Sequence, residues 1–329
     1  MRAILATIGC LGCLTAAAFA APRGPLRLVQ TIALPGVEGR IDHMTLDASG
    51  KRLFLVALGN NTVEVLDLRA GRQVRSLRGF RQPQGVGYAA SPPRLFVANG
   101  GDGSVSILDA DSFHVVRTMP LDEDADNVRV DGSAQKVYVG FGEGGLATLD
   151  AATGDLLKGL ELPGHPESFQ LEAGGPRLFV NIPDSHEVCV VDRARGTVLE
   201  HWPLGDARGN FPMALDAAGN RLFIGCRRPA QVLVLAADTG ARLGARSMDA
   251  DADDLFYDGQ TRMLFASCGA GYIDVIEAPA TGTLRVLNRI PTAAGARTSL
   301  FDPVGRRFFL AVPRRGAQAA QVRVFAVAR

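Results

Sequence analysis

Short apolar runs, each broken by Gly, Pro, Asn or Asp, follow one another along almost the whole chain, and an aromatic-capped apolar pair marks the same place in each group of runs. The pairs are Leu53-Phe54, Leu95-Phe96, Val137-Tyr138, Leu178-Phe179, Leu222-Phe223, Leu264-Phe265 and Phe308-Phe309. They are 42, 42, 41, 44, 42 and 44 residues apart. That spacing is the size of one four-stranded propeller blade.

Each unit reads as an antiparallel meander. In the second, Gly85 to Ala89 is an inner strand, Arg94 to Asn99 a second, Ser104 to Asp109 a third and His114 to Met119 an outer one. Ala90-Ser91-Pro92-Pro93 and Gly100-Gly101-Asp102-Gly103 supply the turns, because Pro presets φ and Gly reaches positive φ without steric cost. The first unit repeats the pattern with Gly59-Asn60-Asn61 as a turn and Thr62 to Asp67 as third strand. Beyond the N-terminus no segment carries an apolar helical period. The predicted fold is all-β, a seven-bladed β-propeller of four-stranded antiparallel blades.

The last unit lacks an outer strand: after Phe308-Phe309 only Gln321 to Val327 remains. Leu26 to Leu34, ahead of the first complete unit, is a strand without a place. The expectation is that this N-terminal strand completes the last blade, which removes an open sheet edge and fastens the ring.

Residues 1–20 follow another pattern. Arg2 is their one charge, Ile4 to Phe19 is small and apolar, and Ala18-Phe19-Ala20 is an A-x-A cleavage signal. This predicts a signal peptide over 1–20, cleaved near Ala20-Ala21, a single propeller domain over 21–329, and a periplasmic or secreted location. The stretch is too short for a comfortable membrane span, and no span is expected in the mature chain. Cys10 and Cys13 lie too early for a lipoprotein signal.

Composition fits a chain that buries both faces of its sheets: 47% of residues are hydrophobic and mean hydropathy is +0.11. Cys189, Cys226 and Cys268 remain after cleavage, so at least one thiol is unpaired in a monomer. Cys226 and Cys268 hold the same repeat position in neighbouring units. Packed sheets lie about 10 Å apart, beyond the reach of a disulfide, so buried free thiols are expected.

Familiar motifs fail on context. Gly140-Phe141-Gly142-Glu143-Gly144-Gly145 matches G-x-G-x-x-G, but it is a turn between strands with no helix to meet a pyrophosphate. Asp122, Asp124 and Asp126 start like a calcium loop, yet Asn127 stands at its glycine and Ser133 at its bidentate glutamate. No G-x-S-x-G or H-E-x-x-H occurs, so catalytic residues are not identifiable.

The chain reverses at every turn, so blade-to-blade loops and second-to-third-strand turns emerge on one face, here the upper face. The lower turns, such as Asp47-Ala48-Ser49-Gly50-Lys51 and Asp216-Ala217-Ala218-Gly219-Asn220, are uniform and read as turn chemistry alone. The upper loops vary. Eleven residues before each marker pair stand Asp42, Gln84, Asp126, Glu167, Phe211, Asp253 and Arg297, with Arg40, His43, Asn127, His165 and Asp254 close by. The repeat register predicts that Arg40, Asp42, His43, Asp126, Asn127, His165, Glu167, Asp253, Asp254 and Arg297 gather at the mouth of the central channel as ligand-binding candidates.

Two acidic loops, Leu121 to Asn127 and Met248 to Asp254, resemble each other beyond the general repeat. Alternate carboxylates on extended chain suit a hard cation, so a divalent ion such as calcium at Asp126 or Asp253 is the candidate cofactor. The plain reading of these loops remains solvated surface charge, with the cation and direct contact with a cationic or polyol ligand as the two alternatives to it. Two histidines at the same mouth predict ligand binding that varies between about pH 5.5 and about pH 7.5.

Leu95-Phe96-Val97-Ala98-Asn99, the Gly-rich turn after it and the Val-x-Val-Leu-Asp strand resemble the YVTN-type β-propeller repeat. Gly39-Arg40-Ile41-Asp42-His43 with Leu58 to Val65 is similar to the exported YncE-like branch. The resemblance implies an exported binding or interaction protein, with nucleic-acid binding among relatives. Here Arg+Lys equals Asp+Glu, at 34 each, once Arg2 is set aside, so no global field favours phosphates and nucleic acid is an unfavoured partner.

Two function classes remain. The favoured one is a non-catalytic, monomeric binding or scaffold module using the channel mouth for a small ligand or protein partner. The other is a metal-dependent hydrolase of lactone type, as on other calcium-binding propellers, with the divalent ion at the mouth. A sealed channel with converging oxygen ligands would favour the enzyme, an open rim with scattered charges the binder.

Overall fold

The two residues of each marker pair point to opposite faces of a sheet that is covered on both sides, so each pair feeds two cores. The computed structural model, which describes residues 24–281 and 283–328, shows this seven times over; the predicted signal segment 1–20 lies outside the described residues. Leu53 packs with the last blade and Phe54 with the second. Leu95 shares the core of Phe54, Phe96 that of Val137, and Tyr138 that of Leu178. Phe179 meets Leu222, Phe223 meets Leu264, Phe265 meets Phe308, and Phe309 returns to Leu53. All fourteen side chains are buried, Tyr138 at 3% and the rest at 0% exposure. Each contributes about 1.5–3 kcal/mol of burial free energy, which explains why the repeat holds these positions and lets the loops vary.

Among the described residues the sheets are seven, each of four strands. Their innermost strands are Met44–Leu46, Pro83–Ala90, Val128–Asp131, Phe169–Leu171, Arg208–Asp216, Ala252–Asp258 and Ser299–Asp302. Each lies beside the next and the last beside the first, which closes the ring around a channel. The expected closure is present: Leu26–Ala33 pairs antiparallel with Gln321–Val327, from Leu26 opposite Val327 to Ala33 opposite Gln321. Ile32 and Leu34 are buried in the core between the last and first blades. Among the described residues no helix is long and apolar enough to cross a membrane.

The lower turns do more than turn. Asp47 accepts hydrogen bonds from the backbone N–H groups of Lys51 and Arg52, as expected of an Asx turn, but also pairs with the Arg52 side chain at 3.1 Å. Arg52 lies over Phe54 and donates to the Ala110 carbonyl of the next blade at 2.8 Å. Arg177 reaches Ala237, Arg221 reaches Ala278 and Pro279, and Arg307 reaches Gly50 in the same way. The reading of these turns as turn chemistry alone is therefore corrected: an arginine next to each of these markers ties one blade to its neighbour.

Cys189, Cys226 and Cys268 are free and buried. Cys226 and Cys268 lie in different inter-blade cores, which is why the repeat position they share brings no bridge. Burial pushes the thiols of Cys189 and Cys226 up to about 12 and that of Cys268 further still.

Candidate functional site

Where the inner strands begin, the backbone sets three carboxylates at one repeat position. The N–H of Asp42 donates to Val56, that of Asp126 to Gly140 and that of Glu167 to Asn181, each acceptor two residues past the second marker residue. Strand alternation then turns these side chains to the channel mouth. Close approach of the backbones is needed: a Cβ on Gly85 would lie 1.8 Å from the carbonyl oxygen of Asp126, so only glycine lets the second blade support this loop. The two similar acidic loops share one more feature, a left-handed residue at the same place, Asp124 at φ 43° and Asp251 at φ 62°.

Arg40, Asp42, His43, Asp126, Asn127, His165, Glu167, Asp253 and Arg297 line one cavity of about 210 Å³. Gln84, Asp124, Ser168, Phe211 and Arg227 complete its wall. Asp254 stands one level deeper, on a second cavity of about 420 Å³ with Thr45, Arg129, Gln170 and Phe256, and His43 borders both. The register thus brings all ten predicted residues to the mouth and the level below it. It passed over Arg129, the residue nine before the marker Tyr138. The equivalent positions are Thr45, Gly87, Gln170, Ala214, Phe256 and Leu300, so a single charge in that row was the available signal.

The charges form two groups. On the fifth-to-seventh-blade side, Asp253 is held by Arg227 and by Arg297 at 3.1 Å, Asp251 accepts from Arg297 at 2.8 Å, and Arg227 stacks on Phe211 at 3.8 Å. Both oxygens of Asp253 face guanidinium groups. That occupation leaves Asp126 as the better donor of the two carboxylates expected to bind a cation. On the other side, His165 shares a hydrogen bond with the Gly142 carbonyl at 2.6 Å and turns Nε2 toward Asp126 at 3.9 Å. Donor atoms of Asp126, His165 and Glu167 lie within 4.8 Å of one another.

Burial and crowding of like charges set the protonation. Burial, with Asp126 and Asp253 adding to it, raises Glu167 to about 8 against the opposing His165 and Arg227. Burial alone would lower His165, but Asp126, the Gly142 carbonyl and Glu167 raise it to about 9. Asp126 moves the other way: its burial is outweighed by His165, His43 and Arg40, which hold it below the usual carboxyl range. Burial pushes Asp42 and Asp254 well above that range, and it lowers His43. The two histidines therefore shift in opposite directions from their common ordinary value, His165 up to about 9 and His43 down.

Two acceptors are left over. Asp42 Oδ2 lies 2.7 Å from Arg40 Nη2 but outside hydrogen-bonding direction, and Asn127 Oδ1 has no partner among the described residues; both residues are 1% exposed. Arg129 likewise makes no ion pair among the described residues and spends its donors on the Val128 carbonyl and, at 3.3 Å, on Ser168 Oγ.

No family model matches the chain. It is similar to the uncharacterized protein YncE of Salmonella typhimurium and of Salmonella typhi, 21% identical to each over 212 residues. The match covers 59% of this chain and 59% of the length of each relative. Among solved structures it superposes on a chain of the mitotic checkpoint complex with a TM-score of 0.78, at 15% identity over 99% of both chains. A chain of Kuenenia stuttgartiensis hydrazine synthase gives 0.73 at 15% identity, over 84% of this chain and 95% of that one. At such identities the structures speak for the fold alone. The resemblance to YncE read from the sequence is borne out, in a seven-bladed propeller.

Proposed function

We propose that this YncE-like propeller is an exported binding module that takes a small polar ligand, rich in hydrogen-bond donors, into the cavity at the channel mouth. One observation carries the reading. Asp42 and Asn127, which both line the cavity, each carry a buried acceptor oxygen without a hydrogen-bond partner among the described residues, that of Asp42 being ion-paired with Arg40, and such groups are costly unless something satisfies them. A polyol or amine ligand supplies those donors. Export is supported by the apolar segment ending at Ala18-Phe19-Ala20.

The test is a thermal-shift panel of polyols, amines and amino acids, followed by affinity measurements on Asp42→Asn and Asn127→Ala. Val304→Ser, on a lower turn and 94% exposed, is the control. Loss of one charged or buried hydrogen bond weakens binding by about tenfold or more. Equal affinity in all three variants would remove the mouth from consideration.

The second reading, a divalent ion serving a hydrolase, is favoured by the convergence of Asp126, His165 and Glu167. One imidazole and two carboxylates suit zinc or manganese better than calcium, whose sites are built from oxygen. Because His165 carries a proton near neutrality, an ion there must displace it. Metal analysis of the purified protein, with His165→Ala alongside, separates this reading from the first.

A further inference from the structure

On the outer half of the fourth blade, far along the sheet from the channel, three side chains of different chemistry meet. Glu187 and Cys189 stand two apart on the strand Glu187–Asp192, so both project to one face, and Cys189 is paired directly with His201 on Thr197–Pro203. Cross-strand pairing and alternation alone bring the donors together. His201 Nδ1 lies 2.9 Å from Glu187 Oε1, and Cys189 Sγ lies 3.6 Å from each of them.

That triangle has the dimensions of one face of a coordination tetrahedron. Ordinary zinc bond lengths require about 3.6 Å between sulfur and nitrogen, about 3.6 Å between sulfur and oxygen, and about 3.4 Å between nitrogen and oxygen. Two edges already agree, and the third needs to open by roughly half an ångström. Cys189 packs into the core between the third and fourth blades, while the His201 side chain is 51% exposed, so the remaining coordination direction opens to solvent. Glu187 has no arginine or lysine within ion-pairing distance among the described residues, unlike Glu172 and Asp131 on the same side of the ring, which pair with Arg177 and Arg193.

We infer that Glu187, Cys189 and His201 form a binding site for a zinc-class divalent cation, separate from the channel mouth. Cysteine sulfur with imidazole selects zinc or cobalt over calcium or magnesium. Binding replaces the thiol proton: the S–H bond breaks, a metal–sulfur bond forms, and one proton passes to solvent. Burial, with Glu187 adding to it, raises this thiol to about 12, so without a cation it stays protonated and unreactive. The bound ion links the third and outer strands of the fourth blade and stabilises that sheet edge by mass action.

Cobalt(II) alone serves as the probe, added to the purified protein. The expected result is a thiolate-to-cobalt charge-transfer band in the near ultraviolet that saturates near one equivalent. It should weaken by at least about tenfold in apparent affinity in His201→Ala, whose half-exposed side chain leaves the core intact. Cys189→Ala should abolish the band, and His165→Ala and Cys226→Ala should retain it. Absence of the band, its survival in Cys189→Ala, or its loss in His165→Ala would overturn the assignment. Because His165 belongs to the mouth and His201 does not, failure here leaves the mouth-binding reading intact, and the converse holds.

Discussion

His43 of the first blade and Asp254 of the sixth face each other across the channel, Nδ1 to Oδ2, at 3.8 Å. The same imidazole turns Nε2 to Asp42 at 3.8 Å. It therefore divides the polar mouth cavity from the deeper one that holds Arg129. Burial lowers the histidine and raises both aspartates, so it opposes charge on each of the three.

The protonation pattern predicts that stability falls between about pH 7 and about pH 9. Glu167 holds its proton more tightly folded than unfolded. Its contribution is complete below the ordinary 4.5 and is lost as pH rises through about 8. That of His165 is complete below 6.5 and is lost as pH rises through about 9. Asp42 and Asp254, both raised, act in the same direction. His43 and Asp126, both lowered, lose their contributions only as pH falls, outside this window. Denaturant midpoints at the two pH values should show a smaller decline in Glu167→Gln than in the natural chain; an equal decline would reject the assignment.

Closure of the ring through the N-terminal strand predicts a large cost for Ile32→Ala. Ile32 is fully buried and packs among residues of the first and last blades. Truncating such a side chain costs about 2–5 kcal/mol. Chemical denaturation measures this directly, and a change below about 1 kcal/mol would mean that the strand is not part of the cooperative core.

Gly85→Ala should disturb the mouth without touching its side chains. The added Cβ meets the Asp126 carbonyl, so the loop carrying Asp126 must move. His165, which owes its raised value to Asp126, should then titrate closer to 6.5, as followed by NMR of the histidine ring. Gly132→Ala, which meets nothing within 4 Å, is the control. An unchanged His165 titration in Gly85→Ala would show that the close approach does not position Asp126.

Much of this was legible in the chain because propeller repeats write their packing at fixed intervals. Leu53-Phe54 and its six counterparts must fill two cores each, and no polar residue can do that. The same register brought nine scattered polar residues to one mouth and Asp254 to the level below it. Arg129 escaped because its row otherwise shows no common character, and the arginine ties escaped because Arg52 or Arg221 has no sequence sign of the carbonyl it reaches in the next blade.

By itself the sequence determined the blade count, the strand that closes the ring and the face on which its variable residues collect, since burial and alternation act locally and repeat. Only the tertiary structure decided which carboxylate pairs with which cation. Asp253 lies between Arg227 and Arg297, whereas Asp126 turns to His165 and Glu167, although the two loops read almost alike. Their partners come from other blades, and the strength and sign of a charge interaction depend on distance and burial that no repeat position encodes.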